Sequence, residues 1–262
     1  MTAQFDIAWE TPRRARPHAD TADGVLARAA AILTTFASAP EPSLTLTALA
    51  RRSGLPLTTV HRLCAQLVRE GLLERDGRSY RVGLHLWEIG TLAPRAHGLR
   101  AAALPYLEDL HAVTGQHVQL VVVDGREAVV LERLSARNAI PLDGRSGGRL
   151  PVHATSGGVA ILAHGHDELL DEVARGPMAA ISPDTISTEH ALRSAVAAVR
   201  TRGYAELRGA ITPGLTSVAA PVLRRGGAAV AAVSVITCDP STRELLPALM
   251  TTALGIGRTL QR

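Results

Sequence analysis

The chain has 262 residues, 46% of them hydrophobic but only 3% aromatic, so its cores must be built mainly from Ala, Val and Leu. With no run of 18 apolar residues, no charged-then-apolar leader and only two cysteines, the composition argues against a membrane span or a secreted disulfide scaffold. A cytoplasmic protein with no membrane partner is expected.

The length accommodates a reader of roughly 60 to 70 residues beside one domain of about 170. The formal charge is +4, and all 28 basic residues are Arg. That bias runs through the whole chain, so position is more informative than total. Residues 45–81 hold seven Arg against three acids, whereas 1–44 sum to −1 and 82–262 to +1.

Residues 1–22, with Pro12, Arg13, Arg14, Arg16 and Pro17 and few apolar side chains, predict a flexible arm. It is either a plain tail or a basic arm able to reach a minor groove. From Asp23 the spacing of Val25, Ala29, Ile32, Leu33 and Phe36 predicts an amphipathic helix closed by Pro40 and Pro42. A winged helix-turn-helix over 23–83 follows from the order of signals inside that segment. Leu46, Leu49 and Ala50 give a short helix to Ser53 that exposes Arg51 and Arg52, and Gly54 ends it. Pro56 suits the start of a second helix from about Leu57 to Glu70.

In that second helix Val60, Leu63, Cys64, Leu67 and Val68 make a buried stripe, leaving Thr58, Thr59, His61, Arg62, Gln66 and Arg69 outside. Two helices joined by a short Gly-containing turn, the second presenting hydroxyls, His, Gln and Arg, suit the major groove of double-stranded operator DNA. Arg pairs with guanine, Gln with adenine, and Thr offers a methyl and a hydroxyl. Asp76-Gly77 then signals a hairpin whose second arm carries Arg78 and Arg81, the expected wing. The competing reading is a helical hairpin whose Arg residues only solvate a surface.

Leu84, Leu86, Trp87, Ile89 and Leu92 predict a linking helix over 84–97, and its apolar excess suggests dimerisation. Residues 98–262 are expected to form the second domain. Leu104, Leu107, Leu110 and Val113 predict a helix from Leu99 to Thr114, after which the period changes to two. His117–Asp124 and Ala128–Leu134 are strand-like runs joined by Asp124-Gly125. Residues 135–152 read as loop. Helices are expected over 155–164, 166–174, 189–201 and 241–260, and strands over 204–207, 218–223 and 228–237. This mixture describes an α+β sheet domain. Cys64 and Cys238 are expected as small core residues, with no metal or other cofactor implied. Gly144-Arg145-Ser146-Gly147-Gly148 matches G-x-S-x-G, but a nucleophile elbow needs a buried strand before it and a helix after it. The flanking residues predict neither.

The segments SGLPLTTVHRLCAQLVREGLLERD, YRVGLHLWEIG, GGRLPVHATSGGVAILA and RGYAELRGAITPGLTSVAAPVLRRGGAAVAAVSV resemble, in content, order and spacing, the IclR family of bacterial transcriptional regulators. The resemblance runs from about Val25 to the C-terminus. It implies a homodimer or dimer of dimers, an N-terminal reader and a GAF-like α/β effector-binding domain, without catalysis. It further implies a ligand on the inner face of the sheet, with helix-start amides holding a carboxylate. The corresponding positions here are Ala139, Leu142 and Leu150 as apolar wall, Ser156 and Gly157 as amide donors, then Leu207, Leu215, Ser217, Ser234 and Ile236.

Independently of the resemblance, Thr155-Ser156-Gly157-Gly158 begins a predicted helix, where unpaired N–H groups and the dipole favour an anion. The same Thr can simply be a cap, and the glycines can serve only close packing. Where the family commonly carries a run of acids after Gly203-Tyr204, this chain has only Glu206, and Leu207 replaces a familiar acidic pocket group. An aromatic or otherwise apolar carboxylic acid is therefore expected as effector. The overall expectation is a ligand-responsive regulator, a repressor rather than an activator. The alternatives are a small-molecule hydrolase using Ser146, or a DNA-binding oligomer without an effector.

Overall fold

The computed structural model describes residues 24–39, 41–135, 146–239 and 241–261. The basic arm expected over 1–22 lies outside them. The chain divides into two compact units, up to His97 and from Gly98 onward.

The first unit opens with α1 (Val25–Thr35), continued by a 3-10 turn over Phe36–Ser38. Then come β1 (Ser43–Thr45), α2 (Leu46–Ser53), α3 (Leu57–Arg69), β2 (Leu73–Asp76), β3 (Ser79–Val82) and α4 (Leu84–Thr91). Thr45 caps α2 by accepting from the Ala48 N–H at 3.3 Å. Gly54 ends it at φ +71°, a left-handed conformation that favours glycine. Ile32, Phe36, Leu49, Val60, Leu63, Cys64, Leu67 and Leu73 form one core, and burial pushes the Cys64 thiol up to about 11. Val25, expected on the buried stripe of α1, is instead 52% exposed, because the core contacts begin only further along that helix.

The expected hairpin is present and gains a third strand: β1 pairs with β3, in the order β1-β3-β2. Three residues are too few to carry a periodic signal, so β1 is absent from the sequence reading. The single linking helix expected over 84–97 is two helices, α4 and α5 (Pro94–Thr114), because Pro94 has no N–H to continue the ladder of α4.

The second unit is an antiparallel six-stranded sheet built from β4 (His117–Asp124), β5 (Glu127–Leu134), β6 (Arg149–Pro151), β7 (Ala205–Arg208), β8 (Thr216–Leu223) and β9 (Ala229–Thr237). Its order is β6-β5-β4-β9-β8-β7. Between β6 and β7 lie a 3-10 turn (Val152–Ala154), α6 (Ser156–Ala163), α7 (Asp167–Arg175) and α8 (Glu189–Arg202); α9 (Leu246–Thr259) closes the unit. Residues 149–152, expected as loop, therefore include an edge strand, which pairs with Glu127–Val129. The closing helix starts at Leu246 rather than Ser241.

Both faces of the sheet are covered, which is why its central strands read as nearly continuous Val and Ala runs. On one face Val118, Leu120, Val233 and Val235 pack with Leu107 and Leu110 of α5 and Leu249 and Ile256 of α9. On the other, the small side chains of Ala205, Ala219 and Ala232 let α6 lie close, and all eight residues of α6 are buried. Two core expectations fail here. Val113 is 77% exposed, because the buried stripe of α5 runs through Ala103, Leu107 and Leu110, and residue 113 lies about a quarter turn away. Cys238 is exposed because β9 has already ended at Thr237.

Two imidazoles of this unit, the buried His153 and the half-buried His164, have displaced titrations. His153 Nε2 lies 3.1 Å from the Ala179 carbonyl, and His164 ends α6. Burial, and then the charges of Arg126 and Arg200 respectively, hold both below the ordinary value of 6.5. A histidine depressed in the folded state leaves the unfolded chain binding more protons below about 6.5, so stability falls as pH drops through that value. A lower melting temperature at pH 5.5 than at 7.5 is expected, with the difference reduced in His153→Gln/His164→Gln. Equal pH dependence of the two proteins would remove these groups from the account.

Candidate functional site

The exposed side of α3 presents Thr58, His61, Arg62, Gln66 and Arg69 to solvent, while Thr59 is half-buried against the unit. The amphipathic spacing causes this: Val60, Leu63, Cys64 and Leu67 are taken by the core, so the polar residues between them share the opposite side. Arg51 is exposed and Arg52 half-buried at the end of α2, and Arg78 is exposed at the tip of the hairpin. Arg81 is less available than its neighbours in sequence suggest. Opposite Glu74 on the paired strand, its guanidinium donates to the Glu74 carboxylate at 2.8 and 2.9 Å. Glu74 also accepts from the Leu84 N–H at 3.1 Å, tying the start of α4 to the wing. That N–H and then the Arg81 guanidinium hold the Glu74 carboxyl below its ordinary value.

In the second unit, a cavity of about 90 Å³ lies between the sheet and the start of α6. At liquid density that is the volume of roughly three waters, the scale of a small organic group. Leu150 of β6, Ser156 and Gly157 of α6, Leu207 of β7, Ser217 of β8, Ser234 and Ile236 of β9, and Leu215 all line it. Eight of the positions implied by the resemblance are thus brought to one place from five separated stretches of chain. Ala139 and Leu142 fall outside the described residues.

The cavity also takes in residues that the sequence reading missed. Gln119 and Val121 come from β4, Ala128 and Val130 from β5, and Ile211 and Thr212 from the turn before β8. Strand alternation places 119 and 121 on one face, but which face became known only from the pairing of β4 with β9. The 210–215 wall is held from behind: the Thr185 hydroxyl donates to the Ala210 carbonyl at 2.6 Å, and Gly209 N–H to the Leu215 carbonyl at 2.8 Å.

The chemistry of the cavity follows from the start of α6. Thr155 Oγ1 accepts from Gly158 N–H at 3.0 Å, and Val159 N–H bonds the Thr155 carbonyl. The Ser156 and Gly157 N–H groups, the first two of the helix, are left for another acceptor. Close packing has dictated the glycines too, since a Cβ at Gly158 would stand 2.2 Å from the Val152 carbonyl oxygen. The Ser156 and Ser217 hydroxyls bond each other.

None of the described side chains lining the cavity is charged. Glu206, the acid beside Leu207, is engaged elsewhere by Arg208 and by the Thr242 hydroxyl. An anion here would meet only helix-start N–H groups, hydroxyls and an amide, against walls of Leu, Ile and Val. Ser146 has no comparable setting: its hydroxyl lies 3.4 Å from Glu132 Oε1, and a turn and strand follow it where an elbow requires a helix.

Comparison with known proteins matches both units. Residues 25–77 match the IclR helix-turn-helix domain, and residues 93–256 match the family described as bacterial transcriptional regulator IclR C-terminal. The HTH-type transcriptional regulator XynR of Escherichia coli is 32% identical over 197 residues, 74% of this chain and 78% of that protein. The HTH-type transcriptional regulator BhcR of Paracoccus denitrificans is 32% identical over 195 residues, 73% of this chain and 70% of that protein. Among solved structures, an IclR homolog from Microbacterium hydrocarbonoxydans, complexed with 4-hydroxybenzoate, superposes with a TM-score of 0.82 at 34% identity. That alignment covers 90% of this chain and 99% of that one.

These relatives are DNA-binding regulators rather than enzymes, in keeping with the setting of Ser146. A winged helix-turn-helix with a polar α3 face, followed by an antiparallel sheet domain with a small-molecule cavity, therefore has a plain assignment: the chain belongs to the IclR family of bacterial transcriptional regulators.

Proposed function

We propose that the protein is a repressor that binds operator DNA as a homodimer or dimer of dimers in the cytoplasm and responds to a small aromatic or apolar carboxylic acid. Thr58, Thr59, His61, Arg62 and Gln66 read base edges, and Arg51, Arg52, Arg69, Arg78 and Arg81 neutralise phosphates. In support of a dimer, α4 and its C-cap expose Leu84, Trp87, Ile89 and Leu92, at 61%, 64%, 48% and 77%, an apolar surface that suits a second copy. Relatives named as repressors include the transcriptional repressor IclR of Escherichia coli and the acetate operon repressor of Salmonella typhimurium.

The observation that carries the ligand reading is the start of α6 opening on an uncharged cavity, with Leu150, Leu207, Leu215 and Ile236 around it. Ser156 and Gly157 N–H groups and the helix dipole receive the carboxylate, and the apolar walls receive a ring or short chain. Leu207 offers no hydrogen bond, which disfavours the smallest polar acids. The bound 4-hydroxybenzoate of the Microbacterium relative is a ligand of this class.

Calorimetry with benzoate-type acids and with glyoxylate-sized acids tests the reading, and the benzoate type is expected to bind more tightly. Binding of only the smallest acids would refute it. In transcription assays the acid should lift repression, because a ligand shifts an equilibrium only by its unequal affinity for the two states.

A further inference from the structure

Besides Thr155 and Thr212, two pairs of polar side chains line the cavity. Ser156 and Ser217 satisfy each other across it. Gln119 and Ser234 do not. They face each other across the β4–β9 ladder, both line the cavity, and neither side chain hydrogen-bonds another described residue. Ser234 is only 2% exposed, so its hydroxyl has no route to bulk water except through the cavity. Polar side chains buried to this degree ordinarily have partners. The buried Ser234 hydroxyl and the half-buried Gln119 amide, side by side without such partners, therefore point to a ligand group.

The kind of group follows from donor and acceptor inventories. An ionised carboxylate only accepts hydrogen bonds, so it cannot satisfy the Gln119 carbonyl oxygen, whichever end of the amide faces it. A ligand hydroxyl both donates and accepts, and so can serve Gln119 and Ser234 together. A ring without such a group would displace water from the cavity and strand both side chains. Sites built to hydrogen-bond a substituent discriminate strongly against analogues lacking it, because their own polar groups are then left unpaired.

Building on the assignment of this cavity to a small acid, we infer that Gln119 and Ser234 form a specificity pair that selects an effector carrying a hydroxyl in addition to its carboxylate. The pair separates hydroxylated acids from their unsubstituted parents, a distinction the apolar walls cannot make.

The test is calorimetric titration of the full-length protein with benzoate, its three monohydroxy isomers, phenol and toluene. At least one hydroxybenzoate is expected to bind about tenfold or more tightly than benzoate. Gln119→Leu should bring that ratio close to one, largely by strengthening benzoate. Ser234→Ala, a one-atom truncation, should reduce the ratio several-fold and carries the test even if Gln119→Leu fails to fold.

Equal binding of benzoate and every hydroxybenzoate by the unmodified protein would overturn the inference while leaving the acid cavity standing. An unchanged ratio in both variants would do the same. If no acid bound but phenol still bound more tightly than toluene, and did so through Gln119 and Ser234, the carboxylate reading would fall and the specificity pair would remain. Absence of binding by every compound would overturn both.

Discussion

Arg62→Ala is expected to weaken operator binding by about 1 to 3 kcal/mol and to relax base preference at one position of each half-site. Arg62 stands exposed on α3 between the buried Val60 and Leu63, so its removal leaves the core intact. Arg78 occupies the hairpin tip after Asp76-Gly77, and in the proposed division of labour it meets the DNA backbone rather than a base edge. Arg78→Ala should therefore weaken binding almost uniformly across sequences and reduce the salt slope by about one. Fluorescence anisotropy at several salt concentrations, on the operator and on single-base variants, separates the two outcomes. Identical losses on every DNA sequence would dissolve the proposed division between base reading and phosphate neutralisation. Arg81 should show a smaller phosphate effect than Arg78, since its bond to Glu74 must loosen before it serves another anion.

The larger structural effect is expected at Gly158. An alanine Cβ there would lie 2.2 Å from the Val152 carbonyl oxygen and 2.6 Å from Thr155 Oγ1, so backbone and cap must both move. Overpacking of about 1 to 3 kcal/mol, together with a lost cap of about 1 kcal/mol, predicts destabilisation of roughly 2 to 4 kcal/mol. Because Thr155 positions the first turn of α6, acid binding should be lost with it. Gly98→Ala is the control: its Cβ meets nothing within 4 Å, and alanine is the better helix former by about 1 kcal/mol. Denaturant unfolding followed by helix content measures both variants. A Gly158→Ala protein as stable as the original would show that the close approach at α6 is not needed.

Much of the reader was legible because its signals are local. Gly54, Pro56 and the Val60-Leu63-Cys64-Leu67 stripe specify a turn and a helix within a few residues, and Asp76-Gly77 specifies the hairpin. The cavity was legible differently. Ser156 and Gly157 are visible as a helix start, but Leu207, Leu215, Ser217, Ser234 and Ile236 entered through family resemblance, since nothing in their own neighbourhoods marks them as lining one space. Gln119 was missed by both routes. Its strand was evident, yet only pairing with β9 sets it beside Ser234.

What the sequence by itself determined, then, is the set of elements that local chemistry specifies: the helix-turn-helix, the wing, the Asp124-Gly125 hairpin and the capped start of α6. Tertiary structure alone decided the sheet order β6-β5-β4-β9-β8-β7, the burial of Ala103 in place of Val113, the edge strand β6 and the meeting of Gln119 with Ser234. Strand register is a long-range choice in which a one-residue slip exchanges the two faces of a strand, and no short stretch of this chain contains that choice.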